Sequence, residues 1–489
     1  MGSFVQRSAS SYGQVGGAGG PSLPTLVQGR WPAGHGISGN NIDSPIQEPL
    51  PAASLAGNCL IAVVNIDGSV SGPPTMTDNL SSSWGSPVIE QVGSQRISIF
   101  VLPNCSAGIT RVIPSNAQQQ LDYMHVCVYE FAGVALTSPV VTSAAATNTA
   151  PNINSGSINT GANNGCLIFS YGSMTGSSAA MTKWIAGTQL AGNTLPFSLL
   201  NAQNLNTTVD VASFAQFGIQ TTGGSVTPDA QCNGNSTSGC QMLSIALKPQ
   251  AGAGTSPAAQ RIVTIQGCHY YGSNFGGSGA GPYTTHAPTR GNLIHLSWGE
   301  LPASGSTGLN SMSDTAGNTY STNGSPINNG SGGLMHQAKA QNATADTTNM
   351  LTFSADTLNA ASVSHMEIYD VAGMPTSPFD TSNTTSGSQG SDTGTLTTVT
   401  YTPNFSNELV IECTGIDAHN LSGVSGAGLV SDIVDAANAN GTGGAFESDD
   451  GFSHAWGVSS AKTWVYTIQH SSGGGVQAWE SFVSGYKTS

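Results

Sequence analysis

His125, Tyr129 and Glu130 recur at the same spacing as His365, Tyr369 and Asp370. An imidazole, a phenol and a carboxylate repeated in this way could do acid–base work. Strand alternation argues against it. Residues four apart on a strand share a face, so His125 and Tyr129 would point one way and Glu130 the other. The plainer reading is a buried His and Tyr bonded to backbone, with the acid beginning a turn before Ala132-Gly133.

Other chemistries leave weaker traces. No G-x-S-x-G elbow sits between a strand pattern and a helix pattern, and no H-E-x-x-H or paired C-x-x-C occurs. Asp432, Asp435, Glu447, Asp449 and Asp450 form the densest charge in the chain and could hold Ca²⁺ through oxygen ligands in a loop. Their spacing is not that of an EF-hand, and a solvated acidic loop explains them as well. The Asn-x-Ser/Thr sites at Asn79, Asn206 and Asn342 are what this composition produces unaided. Among the tryptophans, Trp298, Trp464 and Trp479 lie in strand patterns and read as core. Trp84 and Trp456 lie in Gly/Ser-rich turns and are candidates for an exposed contact such as sugar stacking. No catalytic residue and no cofactor is expected.

The eight cysteines are too few for a disulfide framework in 489 residues. Cys59, Cys127, Cys166 and Cys413 sit in apolar strand patterns, where a thiol acts as a small hydrophobe. Cys232 and Cys240 flank a polar loop and could be bridged.

The elements that would position these residues occur twice. Gly57-Asn58 opens an apolar run, as Gly291-Asn292 does. Thr77-Asp78 leads to Gly85-Ser86-Pro87, as Ser313-Asp314 leads to Gly324-Ser325-Pro326. The His125 and His365 segments follow, then Ser138-Pro139 and Ser377-Pro378. Gly165–Phe169 is matched with Glu408–Glu412, Gly218–Gln220 with Thr467–Gln469, and Gln241–Lys248 with Gln477–Val483. This order predicts a tandem duplication, with residues 25–248 and 259–489 sharing one topology and Tyr123–Phe131 overlaying His365–Val371. Residues 1–24 read as an extended arm and 249–258 as a linker. Gly223–Gly239 is longer than its counterpart Ser471–Gly475 and is expected to project from a sheet end as a contact loop.

Charged residues are 8% of the chain, against a usual figure of about 25%. Gly, Ser, Thr, Asn and Ala take their place and disfavour helices. The net charge of −15 lies mainly in residues 256–489, which hold 17 of the 26 acidic residues. Without a Lys/Arg cluster there is no footprint for direct nucleic-acid binding. No apolar run is long enough to span a membrane, and the N-terminus lacks the apolar centre of a signal peptide. Short strands separated by turn-rich segments such as Ser382–Gly390 predict an all-β chain of two antiparallel sandwiches, jelly-roll or Ig-like, with short helices at 116–122 and 430–438 at most.

The order of these turns and strands resembles a β-sandwich module of tailed-phage virion proteins and bacterial surface proteins. The resemblance covers both copies and carries no catalytic residues. It implies a non-enzymatic structural protein of a virion, a capsid decoration, head-fibre or tail-associated part, made in the host cytoplasm without a signal peptide. Its partners would be copies of itself and other virion proteins. A bacterial cell-surface or filament subunit and a glycan-binding adhesin are the alternatives, placed outside the cell.

Overall fold

The computed structural model describes residues 23–30, 42–43, 45, 47–93, 95–117, 120–121, 124–149, 152–175, 184–186, 197–204, 211–232, 239–251, 264–272, 283–284, 291–300, 309–328, 334–344, 350–355, 363–372, 374–389, 394–417, 420–425, 429–434, 448–469 and 477–488. Among them every regular element is a strand. Thr25–Arg30, Met124–Ala132, Cys59–Asp67, Gln95–Leu102 and Ile89–Val92 lie side by side in that order. Val140–Asn148, Cys240–Leu247, Cys166–Thr175, Val211–Gln220 and Ser198–Asn204 form a second sheet.

The run Cys-Leu-Ile-Ala-Val-Val at Cys59–Val64 explains why the first sheet is central. With both faces apolar, it must be covered on both sides. Ile61 and Val63 join Ile97, Ile99 and Tyr129 and meet Leu167, Phe169, Leu243 and Ile245 of the second sheet. Leu60, Ala62 and Val64 face the other way, where Leu50, Met76, Trp84 and Val112 close over them. Each of the Leu, Ile, Val, Phe and Met side chains among them contributes about 1.5–3 kcal/mol on burial.

Later in the chain, Thr264–Gly272, Val363–Ala372, Gly291–Glu300, Leu334–Gln341 and Tyr320–Thr322 are neighbours in one sheet. Phe379–Gln389, Gln477–Tyr486, Glu408–Asp417, Ser448–Val458 and Leu429–Val434 are neighbours in another. The sheets merge at their edges. Gly29 pairs in parallel with Val430, making one ten-stranded sheet, and Trp184 pairs antiparallel with Cys268, making one of nine strands.

Registers agree in detail. Thr25 and Leu26 face Ala132 and Phe131, then a bulge precedes Gln28 opposite Glu130. Thr264 and Ile265 face Ala372 and Val371, then a bulge precedes Gly267 opposite Asp370. Tyr129 stands opposite Ile61, and Tyr369 opposite His295. Asn104 and Asn342 both leave their strands with φ near 50°, at 51° and 52°.

Several expectations are corrected. Residues 430–434 are strand, not helix, and Gln120–Leu121 is strand within the other expected helix. Val430, Ile433 and Val434 imitate helical spacing, but β-branched residues pair well on a pleated surface. Ser382–Gln389 is no separator: it belongs to the strand Phe379–Gln389, whose pairing comes from Gln477–Tyr486. Thr467–Gln469 is not the counterpart of Gly218–Gln220. The strand beside Glu408–Asp417 there is Ser448–Val458, while Lys462–Gln469 pairs with Gly394–Tyr401. Within the expected contact loop, Ser225–Val226 and Asp229–Cys232 pair back onto Ile158–Asn159 and Asn152–Asn154, with Val226 and Ala230 in the core. Residues 1–22, 233–238 and 252–258 of the arm, loop and linker lie outside the described residues.

Candidate functional site

The unusual chemistry sits between the sheets of the later sandwich. Gly291–Glu300 supplies His295 and Ser297, Leu334–Gln341 supplies Gln337 and Lys339, Gln477–Tyr486 supplies Ser484 and Tyr486, and Asn323 follows Tyr320–Thr322. Alternation turns all of them inward, and all are buried.

They form one hydrogen-bonded chain. His295 Nδ1 lies 2.6 Å from the Tyr486 hydroxyl and Nε2 lies 2.8 Å from Ser297 Oγ. Asn323 Nδ2 donates to Tyr486 and Ser484, each at 2.8 Å. Gln337 Nε2 donates to Ser297 Oγ at 3.1 Å and to the Phe482 carbonyl at 3.2 Å, while Ser484 donates to Gln337 Oε1. Lys339 Nζ donates to Asn323 Oδ1 at 3.1 Å and lies 3.7 Å from the Phe379 ring centre. Burial pushes His295 down to about 3, with the nearby Lys339 charge adding to it. Burial alone pushes Lys339 down to about 8, and burial also raises the Tyr486 phenol.

Ser297, His295 and Tyr486 stand in the order nucleophile, base and orienting group. His295 and Ser297 are 0% exposed, so no substrate reaches them without opening the sheets. Between the facing sheets earlier in the chain, Ile61, Val63, Ile99 and Val101 pack with Ile245 and Leu247, so that core is apolar where this one is polar. A buried polar network holds only when its members satisfy one another.

His125 and Tyr129 are buried, with Tyr129 between the sheets. Glu130 points to the opposite face, where it accepts from Leu55 N at 2.8 Å, Asn58 Nδ2 at 2.6 Å and Gln28 Nε2. It pins the segment before Cys59 rather than joining the His and Tyr. Tyr369 is buried; the side chains of His365 and Asp370 lie outside the described residues.

Trp84 corrects an expectation. It is 4% exposed, packs in the core and donates from Nε1 to Asp78 Oδ2 at 2.9 Å. Its Gly/Ser surroundings suggested a surface turn, but the indole plugs the layer over Leu60 and Val64. Trp298, Trp464 and Trp479 are buried, whereas Trp456 is placed by backbone only. Asn79 is tied down, its Oδ1 accepting from Thr110 N at 2.8 Å.

Asp432 lies on Leu429–Val434, and Asp449 and Asp450 lie on Ser448–Val458. Their side chains, and Asp435 and Glu447 entirely, are outside the described residues. Among the described residues no cluster of His, Cys, Asp and Glu could hold a metal ion. Cys232 and Cys240 sit on strands of different sheets, and Cys240 is buried. The polar core escaped sequence reasoning because each member stands alone in an ordinary strand pattern; the signal was a Lys, a Gln and a His at inward positions. Among the described residues no helix is long and apolar enough to cross a membrane. No family model, no curated protein and no solved structure matches the chain.

Proposed function

We propose that the chain is a tandem duplication of one β-sandwich domain and serves as a non-enzymatic structural protein of a tailed-phage virion. Matching strand orders, and bulges at Leu26/Gln28 and Ile265/Gly267, support the duplication. Bulges change the local twist and are hard to place identically by chance.

One observation carries the structural role. The two halves join by adding one sheet edge to another, at Gly29–Val430 and Trp184–Cys268. Edge addition is a standard mode of subunit contact, and a chain that already uses it internally is suited to extended assemblies. The low-charge Ser/Thr/Gly/Asn composition fits a particle surface.

Antibody labelling of purified particles, viewed by electron microscopy, tests the reading. Label on head or tail is the expected result. Label only on the envelope of uninfected cells would replace it with a cell-surface subunit. Deleting residues 1–22 should leave a folded protein that joins particles poorly.

A further inference from the structure

The buried amine of Lys339 faces an amide it could react with. Lys339 and Asn323 are both nearly fully buried, and Nζ lies 3.1 Å from Asn323 Oδ1. Its remaining contacts among the described residues are the Thr322 carbonyl at 3.4 Å and the Phe379 ring at 3.7 Å. No carboxylate is among them. A buried ammonium without a counter-ion is costly, and a protein normally removes the cost by neutralising the group.

The ladder holds the two side chains together. Ser321 stands opposite Lys339, and Asn323 N donates to the Gln337 carbonyl at 2.9 Å. Lys339 and Asn323 are thus diagonal neighbours on one face of adjacent strands, within reach of long side chains. At the same edge of the first sandwich, Val101 packs with Val88 and Ile89. A purely apolar corner there has become an amine and an amide here.

We propose that Lys339 and Asn323 join in an intramolecular isopeptide bond. The neutral amine attacks Cγ of Asn323, forming the Nζ–Cγ bond. Nζ gives up one proton, Nδ2 gains one, the Cγ–Nδ2 bond breaks and ammonia leaves. Tyr486 and Ser484, each 2.8 Å from Nδ2, are the hydroxyls positioned to pass that proton, with His295 2.6 Å behind Tyr486. No oxidant or co-reactant is needed. The burial that holds Lys339 at about 8 raises the share of reactive neutral amine. Two groups held within a few ångströms gain the large effective concentration of an intramolecular reaction. The product removes a buried charge and ties the edge strand to its neighbour. This inference is independent of the virion reading.

Intact-mass spectrometry of the reduced, denatured full-length protein tests it. The expected mass is one ammonia below that of the sequence. Tryptic mapping should recover a branched peptide containing Asn323 and Lys339, uncleaved after Lys339. Lys339→Arg and Asn323→Ala should each restore the sequence mass. Tyr486→Phe should leave a larger unreacted fraction at a given time after synthesis. The wild-type measurement is decisive even if a variant fails to fold. The full sequence mass, with cleavage after Lys339, overturns the proposal. Ammonia loss confined to a linear peptide also overturns it, since Asn323-Gly324 could form a cyclic imide instead.

Discussion

Tyr401 places its hydroxyl against the carboxylate of Glu408, and Oδ2 of Asp380 lies 3.2 Å from the same hydroxyl. One phenolic proton cannot serve both acceptors at once. A proton on Glu408 completes the set, donating to Tyr401, which then donates to Asp380. Asn404 favours Asp380 as the anion, its backbone N–H donating at 3.1 Å and its side chain at 3.2 Å. Burial first, and the neighbouring Asp380 charge with it, push Glu408 up to about 7, against the lowering pull of Tyr401.

A pH signature follows. The folded state keeps a proton on Glu408 that the unfolded chain releases near its ordinary 4.5. Stability from this group is fully present below that value and is lost as pH rises through about 7. Urea unfolding at a series of pH values should show the decline, and Glu408→Gln should flatten it. An unchanged profile in the variant would remove Glu408 as the cause.

Gly485 tests the same contact sterically. A Cβ there would lie 1.6 Å from the Tyr401 hydroxyl and 2.7 Å from Glu408 Oε2. Gly485→Ala should displace Tyr401 and cost about 1–3 kcal/mol, as overpacking does in a tight core. The urea midpoint should fall, and the decline with pH should move to lower values as Glu408 loses its arrangement.

Glu130 separates a structural carboxylate from a catalytic one. Three donors converge on it, from Leu55, Asn58 and Gln28, so each oxygen accepts. Glu130→Gln turns an NH₂ toward donors and should cost about 1–3 kcal/mol in unfolding free energy. Thermal or urea unfolding measures it. A variant as stable as the parent would mean that the carboxylate does not pin the segment before Cys59.

The strong strands were legible because their patterns are dense: Cys59–Asp67, Met124–Ala132 and Cys240–Leu247 are nearly continuous apolar runs. Phe379–Gln389 was not, because an edge strand of Ser, Thr and Asn takes its stability from its neighbour and shows no alternation. The fate of Glu130 was partly readable, since alternation separates it from Tyr129. Asn58 and Gln28, which hold it, are far away in sequence. Trp84 misled for the opposite reason: its neighbours are turn residues, yet the turn folds inward over an apolar sheet face. The His295 network could not be read, since its bonds join residues from four separate segments.

The contact between His295 and Tyr486 offers the sharpest comparison of the two halves. At 2.6 Å they bond, and the proposed duplication would set Ile61 and Leu247 in the matching places of the earlier core. His295→Ile takes a partner from the Tyr486 hydroxyl and from Ser297, and should cost about 1–3 kcal/mol. Tyr486→Leu leaves His295 Nδ1 short of a partner and should cost a similar amount. With both changed, neither ring nitrogen nor phenol remains, and apolar groups meet as in the first sandwich. The double loss should fall short of the sum by about 0.5–3 kcal/mol. The pH dependence runs opposite to that of Glu408. His295 is held at about 3 against an ordinary 6.5, so the unfolded chain takes up a proton first as pH falls. Stability from it is fully present above 6.5 and declines toward 3, a slope that His295→Ile should lack. Urea unfolding of the parent, both single variants and the double variant across this range measures both effects. Strictly additive losses would mean that the two side chains are not coupled in the folded state.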